Sequence, residues 1–313
     1  MKPPEIDIRD AFFNEVYAIA KEDSNVIFIT ADMGAHSLVK FKKDLPKQYI
    51  NIGIAEQNMV SVAAGLALGG KKVFIYTIIP FATFRCYEQI KMDLCCMNLP
   101  VVVVGAGPGL TYGSDGPSHH ATSDIAVMRA LPQISILNPS DSCLAAYCAR
   151  IAYESVSPVY VRIDKGRQPL IHKEKDKFPD GLVLLRGGSQ LTIISTGLMV
   201  HHALKVAESL DGHGISSAVV DLYMIKPLNE SLLLSAINKI KHIVTVEENS
   251  IVGGIGSIIS EFLNDHGLFI PLKRIALPDQ HCFESGNRES MHKYFRLDEE
   301  NIKKDILSWV SAV

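Results

Sequence analysis

The sequence predicts an α/β fold of two domains, each with a mostly parallel sheet. Runs rich in β-branched residues alternate with helical stretches along the chain, which is the pattern of a parallel α/β sheet. A chain of 313 residues with 47% apolar content is large enough to bury two cores. Between the two halves, lysines, prolines and two adjacent glycines replace the periodic pattern. We therefore expect a first domain over residues 1–168, a linker over 169–188 and a smaller second domain over 189–313.

The elements of the first domain follow from their apolar patterns. The predicted helices place apolar residues at helical spacing, and the strands are short, nearly continuous apolar runs, as in buried strands. In chain order the helices are Ile8–Lys21, Met59–Leu68, Phe84–Asp93, Ser123–Ala130 and Ser142–Glu154. The strands are Val26–Thr30, Lys72–Thr77, Pro100–Val104, Ile134–Leu137 and Val159–Arg162.

The second domain repeats the alternation of strands and helices. Its predicted strands are Leu191–Ser195, Ser217–Asp221, His242–Val246 and Pro271–Ile275. The run Gly253-Gly-Ile-Gly256 lacks the spacing of a dinucleotide site and is interpreted as close packing at a helix entry. His201 and His202 lie at a predicted helix start and are expected on a solvated face.

The composition excludes several classes of function. With a formal net charge of −3 and no local run of basic residues, the chain has no footprint for nucleic acid. The N-terminus has no apolar signal core, and the longest apolar run, Leu99–Val104, is too short to span a bilayer. The six cysteines lack a metal-ligand spacing and are expected to be buried free thiols, as in a reducing cytoplasm. We therefore expect a soluble, cytoplasmic protein.

One acid, Glu56, follows the strand-like segment Tyr49–Ile52 and begins a nearly apolar helix. In an α/β fold this position lies at the carboxyl end of a sheet, where ligands bind. A carboxylate there, facing aromatic side chains, suits a flat ring that carries nitrogen atoms. The alternative is structural, because an acid in the first turn of a helix is stabilised by the helix dipole.

Three aromatic residues, Phe81, Phe84 and Tyr87, recur at every third position after the next strand. On a helix this spacing drifts by about 60° per step, so we expect the rings to line one broad face. Pro80 places the first two at a strand-to-helix junction, where exposed ring faces stack on a planar heterocycle. The alternative is that the rings belong to the core.

A glycine-rich loop after Val104 contains Asp115, His119 and His120. Glycines let a backbone approach a ligand closely, and the loop offers both a carboxylate and an imidazole. A lone histidine is more often structural, but two histidines beside an acid at the end of a strand favour a functional role.

Taken together, these motifs resemble those of the transketolase family, and more narrowly the C-terminal half of a split transketolase. The ordered set covers nearly the whole chain and is highly specific, although each motif alone is weak. In the first domain the motifs are Gly53-Ile-Ala-Glu56-Gln-Asn58, Phe81-x-x-Phe84-x-x-Tyr87, Ser114-Asp-Gly-Pro-Ser-His119 and Asn138-Pro-Ser-Asp141. In the second they are Ser195-Thr-Gly197, Ile225-Lys-Pro-Leu228, Val246-Glu-Glu-Asn249, Gly253-Gly-Ile-Gly256 and Pro278-Asp279 through Glu284-Ser-Gly286.

The resemblance implies a transferase of carbohydrate metabolism that uses thiamine diphosphate to move a two-carbon ketol unit from a ketose to an aldose. The first domain is then a pyrimidine-binding domain. Glu56 matches the glutamate that hydrogen-bonds the aminopyrimidine and promotes its imino tautomer. Phe84 matches the ring that stacks on the pyrimidine, with Phe81 and Tyr87 in support, and Asp32 joins the residues that bind the cofactor.

The resemblance also implies the residues that bind substrate. Asp115 and His119 match residues that contact the hydroxyl groups of the ketose donor, and His119 counts as catalytic. Arg9 matches an arginine that binds the acceptor's phosphate, because it lies 23 residues before Asp32, as in relatives.

The phosphate-binding residues depart in part from the family pattern. A family histidine at the start of the loop corresponds to Gly107, a family serine to His36 and a family arginine to Lys165. Lysine binds phosphate without the bidentate geometry of arginine. We therefore hypothesise an unusual donor or acceptor, such as a modified sugar.

A missing motif points to a second chain. The family anchors the diphosphate and its divalent metal with a Gly-Asp-Gly segment, and this sequence has none. A metal-bound diphosphate needs hard oxygen ligands, so we expect no metal site here. A separate N-terminal subunit is expected to hold the diphosphate and a magnesium or calcium ion, in an α2β2 heterotetramer.

Two other functions stay open. One is a pyruvate-using relative, similar to deoxyxylulose-phosphate synthase or to the β subunit of a 2-oxoacid dehydrogenase. The other is a non-catalytic assembly partner, against which the presence of Glu56 argues.

Overall fold

The computed structural model describes residues 6–173, 178 and 180–312, which form two compact units. The first comprises the described part of 1–108 and 127–176, and the second that of 109–126 and 177–313. Each is an α/β unit with a mostly parallel sheet, which confirms the predicted fold class. The segment 109–126 precedes the predicted linker in sequence but packs with the second unit.

The first unit is built on a parallel sheet. Its strands are β1 (Val26–Thr30), β2 (Tyr49–Asn51), β3 (Lys72–Ile78), β4 (Val101–Ala106), β5 (Ser135–Leu137) and β6 (Val159–Ile163). Within this unit they lie in the order β5-β6-β4-β3-β1-β2. Strands β1, β3, β4 and β6 are buried along their whole length, which explains their continuous apolar sequences.

Helices of the first unit cover this sheet. They are α1 (Ile8–Glu22), α2 (His36–Asp44), α3 (Glu56–Leu68), α4 (Ile79–Ala82), α5 (Tyr87–Gln89), a π-helix (Ile90–Cys95) and α7 (Ser142–Glu154). Helix α6 (Asp124–Arg129) begins in the segment 109–126 of the second unit and ends in the first unit. Helix α1 starts at the cap Asp7, whose carboxylate accepts hydrogen bonds from the backbone N–H groups of Arg9 and Asp10 at 3.0 and 3.4 Å. It packs against α7.

The predicted helix Phe84–Asp93 is confirmed only from Tyr87 onward, as a short α-helix that continues into a π-helix, and its predicted start is wrong. Helix α4 ends at Ala82, where the Thr83 hydroxyl donates to the carbonyl of Ile79 at 2.7 Å. A turn follows, and the chain then passes through α5 into the π-helix. This hydroxyl satisfies a carbonyl at the helix end, so the helix can stop there.

The second unit has a mixed sheet. The strands of this sheet are β7 (Val183–Arg186), β8 (Leu191–Ser195), β9 (Ser217–Asp221), β11 (His242–Ser250) and β12 (Leu272–Leu277), and the short strand β10 (Met224–Lys226) is not part of it. Its helices are α8 (Met199–Asp211), α9 (Glu230–Ala236), α10 (Ile255–Asp265), α11 (Arg288–Tyr294) and α12 (Glu299–Val310). The sheet order is β12-β11-β8-β9-β7, with β7 antiparallel to β9 and the other pairs parallel.

The predicted solvated face at His201 and His202 is wrong. His201 is buried, and the ring of His202 packs edge-on against the ring of His292 with centroids 5.4 Å apart. Both lie on α8, which packs against α12, so this side of the helix is covered. Burial, with a smaller contribution from the neighbouring His292, lowers the pKa of His202 to about 4, so the ring is neutral at pH 7.

Other surface expectations are met in part. All six cysteines are reduced thiols; Cys143 is half-buried and Cys96 is exposed, while the other four are buried. Within the described ranges, no helix combines the length and apolar character needed to cross a membrane.

Candidate active site

The centre of the first unit's candidate site is Glu56, the first residue of α3. Its carboxylate is only 4% exposed. The chain reaches it from the carboxyl end of β2 through Gly53, whose φ of +75° favours glycine. Strands β2 and β3 flank β1 although they follow one another in sequence, so the switch point of the sheet lies between β1 and β3. Glu56 therefore lies at the edge of the sheet where α/β folds bind ligands.

Asn51 shapes the approach to Glu56. Its side-chain oxygen accepts hydrogen bonds from the backbone N–H groups of Asp32 and Gly53 at 3.1 and 3.0 Å. Its amide nitrogen donates to Oδ1 of Asp32 at 3.0 Å. Asp32 has a φ of +53°, in the left-handed region that few residues other than glycine adopt. Asn51 thus links the carboxyl ends of β1 and β2 and fixes both turns.

Arg85 is the direct partner of Glu56. Its Nη1 donates to Oε1 of Glu56 at 2.8 Å, and its guanidinium lies 4.0 Å from the ring centroid of Phe81. The Arg85 side chain is 43% exposed, so the pair joins a buried carboxylate to a cation at the surface. The ion pair offsets part of the cost of burying the carboxylate, and the stacked ring holds the guanidinium in place.

The three aromatic residues do not share one helix face. Phe81 lies on α4, Phe84 lies in the turn and is 39% exposed, and Tyr87 begins α5. The Tyr87 hydroxyl donates to the carbonyl of Val127 at 3.0 Å, so this ring is fixed. The prediction of one broad face is therefore wrong, because the helix stops before Phe84. The exposed ring of Phe84 remains available to a planar ligand.

Cys86 lies between these aromatics and is inert. Burial, with a smaller contribution from the nearby charge of Glu56, raises the pKa of its thiol to about 12. The thiol contacts the carbonyl of Phe81 at 3.1 Å. Because the thiolate is the reactive form, this cysteine does not act as a nucleophile at neutral pH.

Arg9 is held near the start of α1 with an unsatisfied donor. Its Nη1 donates to the Tyr76 hydroxyl at 3.4 Å, and its buried Nε has no hydrogen-bond partner among the described residues. Burial alone would lower the pKa of Arg9, but Tyr76, Asp7 and Asp10 hold it above the ordinary value. A half-buried guanidinium with a free donor is suited to an anion.

Ser37 and Gly166, the sequence neighbours of His36 and Lys165, are both hydrogen-bonded to carboxylates at the start of α1. Asp10 accepts hydrogen bonds at Oδ1 from the backbone N–H and the hydroxyl of Ser37, at 3.1 and 2.8 Å. Asp7 accepts at Oδ2 from the N–H of Gly166 at 2.7 Å. The chain therefore brings Arg9, exposed His36 and half-buried Lys165 to one end of α1.

Asp115 and His119 lie in the second unit, on the segment 109–126. Asp115 is exposed, and its backbone N–H donates to the carbonyl of Tyr112 at 2.9 Å. The N–H of His119 donates to the carbonyl of Gly116 at 2.9 Å, and its Nδ1 lies 3.0 Å from the Ser118 hydroxyl. Successive turns therefore present the two side chains on a defined loop.

Sequence reasoning missed Asn51 and Arg85. Asn51 opens the segment that contains Glu56, where an asparagine between a strand and a left-handed glycine is a signal for a turn. Arg85 lies between two of the aromatics, and an arginine in an apolar stretch signals a buried charge nearby. Within the described ranges, no cluster of three or more His, Cys, Asp or Glu residues is arranged to hold a metal.

Comparison with known proteins identifies the families to which the two parts of the chain belong. The model of the "Transketolase, pyrimidine binding domain" family matches residues 4–169, and that of the "Transketolase, C-terminal domain" family matches residues 181–302. The chain is 34% identical to one of the subunits of the apulose-4-phosphate transketolase of Phocaeicola vulgatus, over 97% of this chain and 98% of that one. It is 36% identical to 1-deoxy-D-xylulose-5-phosphate synthase of Caldanaerobacter subterraneus, over 95% of this chain but only 48% of that protein.

A solved structure has the same fold over nearly its whole length. It is a split-gene transketolase described as an inactive β4 tetramer, with a TM-score of 0.89 and 30% identity over 97% of this chain and 98% of that one. The predicted resemblance is thus confirmed. The chain belongs to the transketolase family, as the subunit of a split transketolase that carries the pyrimidine-binding and C-terminal domains.

Proposed function

We propose that this chain, together with a second chain that holds a diphosphate and its metal, transfers a two-carbon ketol unit from a ketose to an aldose. The observation that carries the proposal is the buried carboxylate of Glu56 at the carboxyl edge of a parallel sheet. The residues fit the pyrimidine half of thiamine diphosphate. Glu56 offers a carboxylate whose Oε1 is oriented by Arg85, and Phe84 offers an exposed ring on which a planar ligand can stack.

When bound, thiamine diphosphate supplies an acidic carbon that becomes a nucleophile towards ketoses. Glu56 would hold a proton between its carboxylate and a pyrimidine nitrogen, and its burial strengthens that hydrogen bond. Phe84 would stack on the ring, and Phe81 and Tyr87 would support it. Asp32 would complete the pocket from the end of β1.

Asp115 and His119 would bind the hydroxyl groups of the ketose donor. Their loop offers an exposed carboxylate and an imidazole whose Nδ1 is paired with Ser118. This pairing helps to orient the ring, and an oriented imidazole can exchange a proton with a hydroxyl group of the sugar.

Arg9, His36 and Lys165 would bind an anionic group on the sugar. They meet at one end of α1, and the free Nε of Arg9 supplies a donor. We propose a sugar phosphate of unusual structure, as the name of the Phocaeicola relative suggests. Turnover of phosphorylated and unphosphorylated sugars would be compared, and a strict demand for ordinary pentose phosphates would refute the unusual substrate.

A partner subunit would hold the diphosphate and a magnesium or calcium ion in an α2β2 heterotetramer. The Phocaeicola relative, which this chain matches over nearly its whole length, is itself named as one subunit of a transketolase, and this supports the division. The reduced thiols of the chain are compatible with a reducing cytoplasm. The chain would be co-expressed with a candidate N-terminal subunit, and cofactor binding measured for each chain and for the mixture. Tight binding by this chain alone would contradict the division.

The substitution Glu56→Gln tests the role of Glu56. It keeps shape and removes the charge, so we expect a fall in kcat of roughly 100-fold or more, with the fold retained. The matched control is Glu22→Gln, which changes an exposed carboxylate at the end of α1 and should keep full activity. Near-normal turnover in the Glu56 variant would defeat the assignment.

A pyruvate-using activity is the alternative, because the chain is 36% identical over 95% of its length to a 1-deoxy-D-xylulose-5-phosphate synthase. Release of carbon dioxide from pyruvate by the two-chain complex would favour it. Ketol transfer from a ketose phosphate without carbon dioxide would favour the transketolase activity.

A further inference from the structure

The loop that carries Asp115 and His119 is closed at its base by a short backbone ladder. Gly109 and Ala121 exchange N–H···O hydrogen bonds of 3.0 and 2.9 Å. Farther along, the N–H of Ser250 donates to the carbonyl of Thr122 at 2.5 Å. The loop is therefore fastened to the end of β11 in the second unit.

Glu248, near the end of β11, lies directly against this loop base. Its Oε1 accepts a hydrogen bond from the backbone N–H of Leu110 at 3.0 Å. A Cβ added to Gly109 would lie 2.4 Å from Cδ of Glu248, and the φ of Gly109 is +57°. Only glycine fits at a contact this close with a left-handed backbone. The carboxylate and the loop base thus form one packed junction.

Two residues of α11 fix the orientation of Glu248. Arg288 donates from Nε to both carboxylate oxygens at 3.0 and 3.1 Å, and its Nη2 also contacts Oε2. Nε2 of His292 lies 2.7 Å from Oε1. Burial alone would raise the pKa of Glu248, but Arg288 and His292 together hold it well below the ordinary value. The carboxylate is therefore charged and held rigidly at neutral pH.

The neighbouring acid, Glu247, has a different structural role. Oε2 and Oε1 of Glu247 accept hydrogen bonds from the N–H groups of Ile255 and Gly256, both at 2.8 Å. Glu247 therefore caps α10 and satisfies its orphan donors. Strand β8 lies between β9 and β11, so this is the switch point of the second sheet. Two acids of the chain fill the position where such folds bind ligands.

We propose that Glu248 is a positioning residue for the ketose donor: it anchors the 109–126 loop so that Asp115 and His119 are presented in one geometry. The inference rests on the proposed function of these two residues. Glu248 acts on the donor only through the loop, because its contacts reach the loop base at Gly109 and Leu110. The switch-point crevice of the second unit would then serve as an anchor for a substrate loop.

The test compares Glu248→Gln with the matched control Glu247→Gln in the two-chain complex. In E248Q an amide group faces Arg288, so the junction loosens. We expect faster hydrogen–deuterium exchange in residues 109–122 and a rise of roughly tenfold or more in the donor KM, with the affinity for thiamine diphosphate unchanged. In E247Q we expect faster exchange at the start of α10 and an unchanged donor KM.

A double-mutant cycle separates positioning from general damage. If Glu248 acts through Asp115, then E248Q adds little to the donor KM of an Asp115→Asn variant. An equal rise of the donor KM in E247Q and E248Q, or a full additional rise in the D115N background, would overturn the proposal. If E248Q does not fold, Gly109→Ala perturbs the same junction from the loop side and should produce the same pattern.

The exchange measurement separates this proposal from the proposed function. A complex without ketol transfer would refute the proposed function alone. Unchanged exchange of the loop in E248Q would refute the anchor, whatever the activity.

Discussion

The pair of Arg85 and Glu56 allows a quantitative prediction. Replacing Arg85 by Met keeps much of the apolar stem but removes the guanidinium. At 2.8 Å, two unit charges attract by about 6 kcal/mol at an effective dielectric constant of about 20. Desolvation of the buried acid opposes this attraction, and the 43% exposure of Arg85 screens it. We therefore expect a net coupling of about 1–2 kcal/mol, between the values of surface and buried pairs.

The stack on Phe81 adds a separate term. A guanidinium 4.0 Å from the ring centroid contributes a further ~0.5–1 kcal/mol, which does not depend on Glu56. Arg85→Met should therefore lower the free energy of unfolding by ~1.5–3 kcal/mol in the wild type. In the Glu56→Gln background it should lower it by only ~0.5–1 kcal/mol.

The assay is urea denaturation at pH 7 of the wild type, both single variants and the double variant, followed by circular dichroism. Arg150→Met is a matched control in the same unit, because Arg150 pairs with Glu15 and is 60% exposed; a loss below ~1 kcal/mol is expected. Equal losses for Arg85→Met in the two backgrounds would refute the pairing. If Arg150→Met lowered the free energy of unfolding as much as Arg85→Met does, the larger coupling assigned to the burial of Glu56 would be refuted.

The remaining predictions concern the anion cluster and a buried lysine. Arg9→Gln should raise the KM of a phosphorylated sugar roughly tenfold or more and leave that of its unphosphorylated analogue unchanged, because only the anion meets the guanidinium; equal effects in steady-state kinetics would refute the assignment. Burial lowers the pKa of Lys72 to about 8 from 10.5. Between pH 8 and pH 10.5 the unfolded chain therefore binds more protons at Lys72 than the folded chain does. Over this pH window, the free energy of unfolding of the wild type should rise with pH relative to that of Lys72→Met, by up to ~3 kcal/mol. Parallel pH profiles in urea denaturation would contradict the shift.

Apolar patterns were sufficient to predict most of the fold. Strands such as Val26–Thr30 and helices such as Ser142–Glu154 have the predicted bounds, because their periodicity directly reflects burial. The segment after Pro80 was mispredicted, because a single hydroxyl bond from Thr83 and a π-helix broke the regular spacing. The histidines at 201 and 202 were mispredicted because burial of a helix face depends on what packs against it.

The candidate site was predicted only as separate motifs. Glu56, Phe84 and Asp115 are recognisable because local sequence places each at the end of a strand or in a glycine-rich loop. Their assigned roles stay predictions. Asn51 and Arg85 acquire theirs from contacts that no local pattern records.

The family and fold class of the chain can be predicted from short sequence segments, because turns, caps and buried strands each depend on a few consecutive residues. The partners of its buried charges depend instead on contacts between distant segments. Arg85 meets Glu56 across 29 residues, and Leu110 meets Glu248 across 138. A buried carboxylate requires a hydrogen-bond donor, but the sequence alone does not identify which residue supplies it. Only the tertiary structure shows that Arg85 is the partner of Glu56 and that the segment 109–126, which follows β4 in sequence, belongs to the second unit.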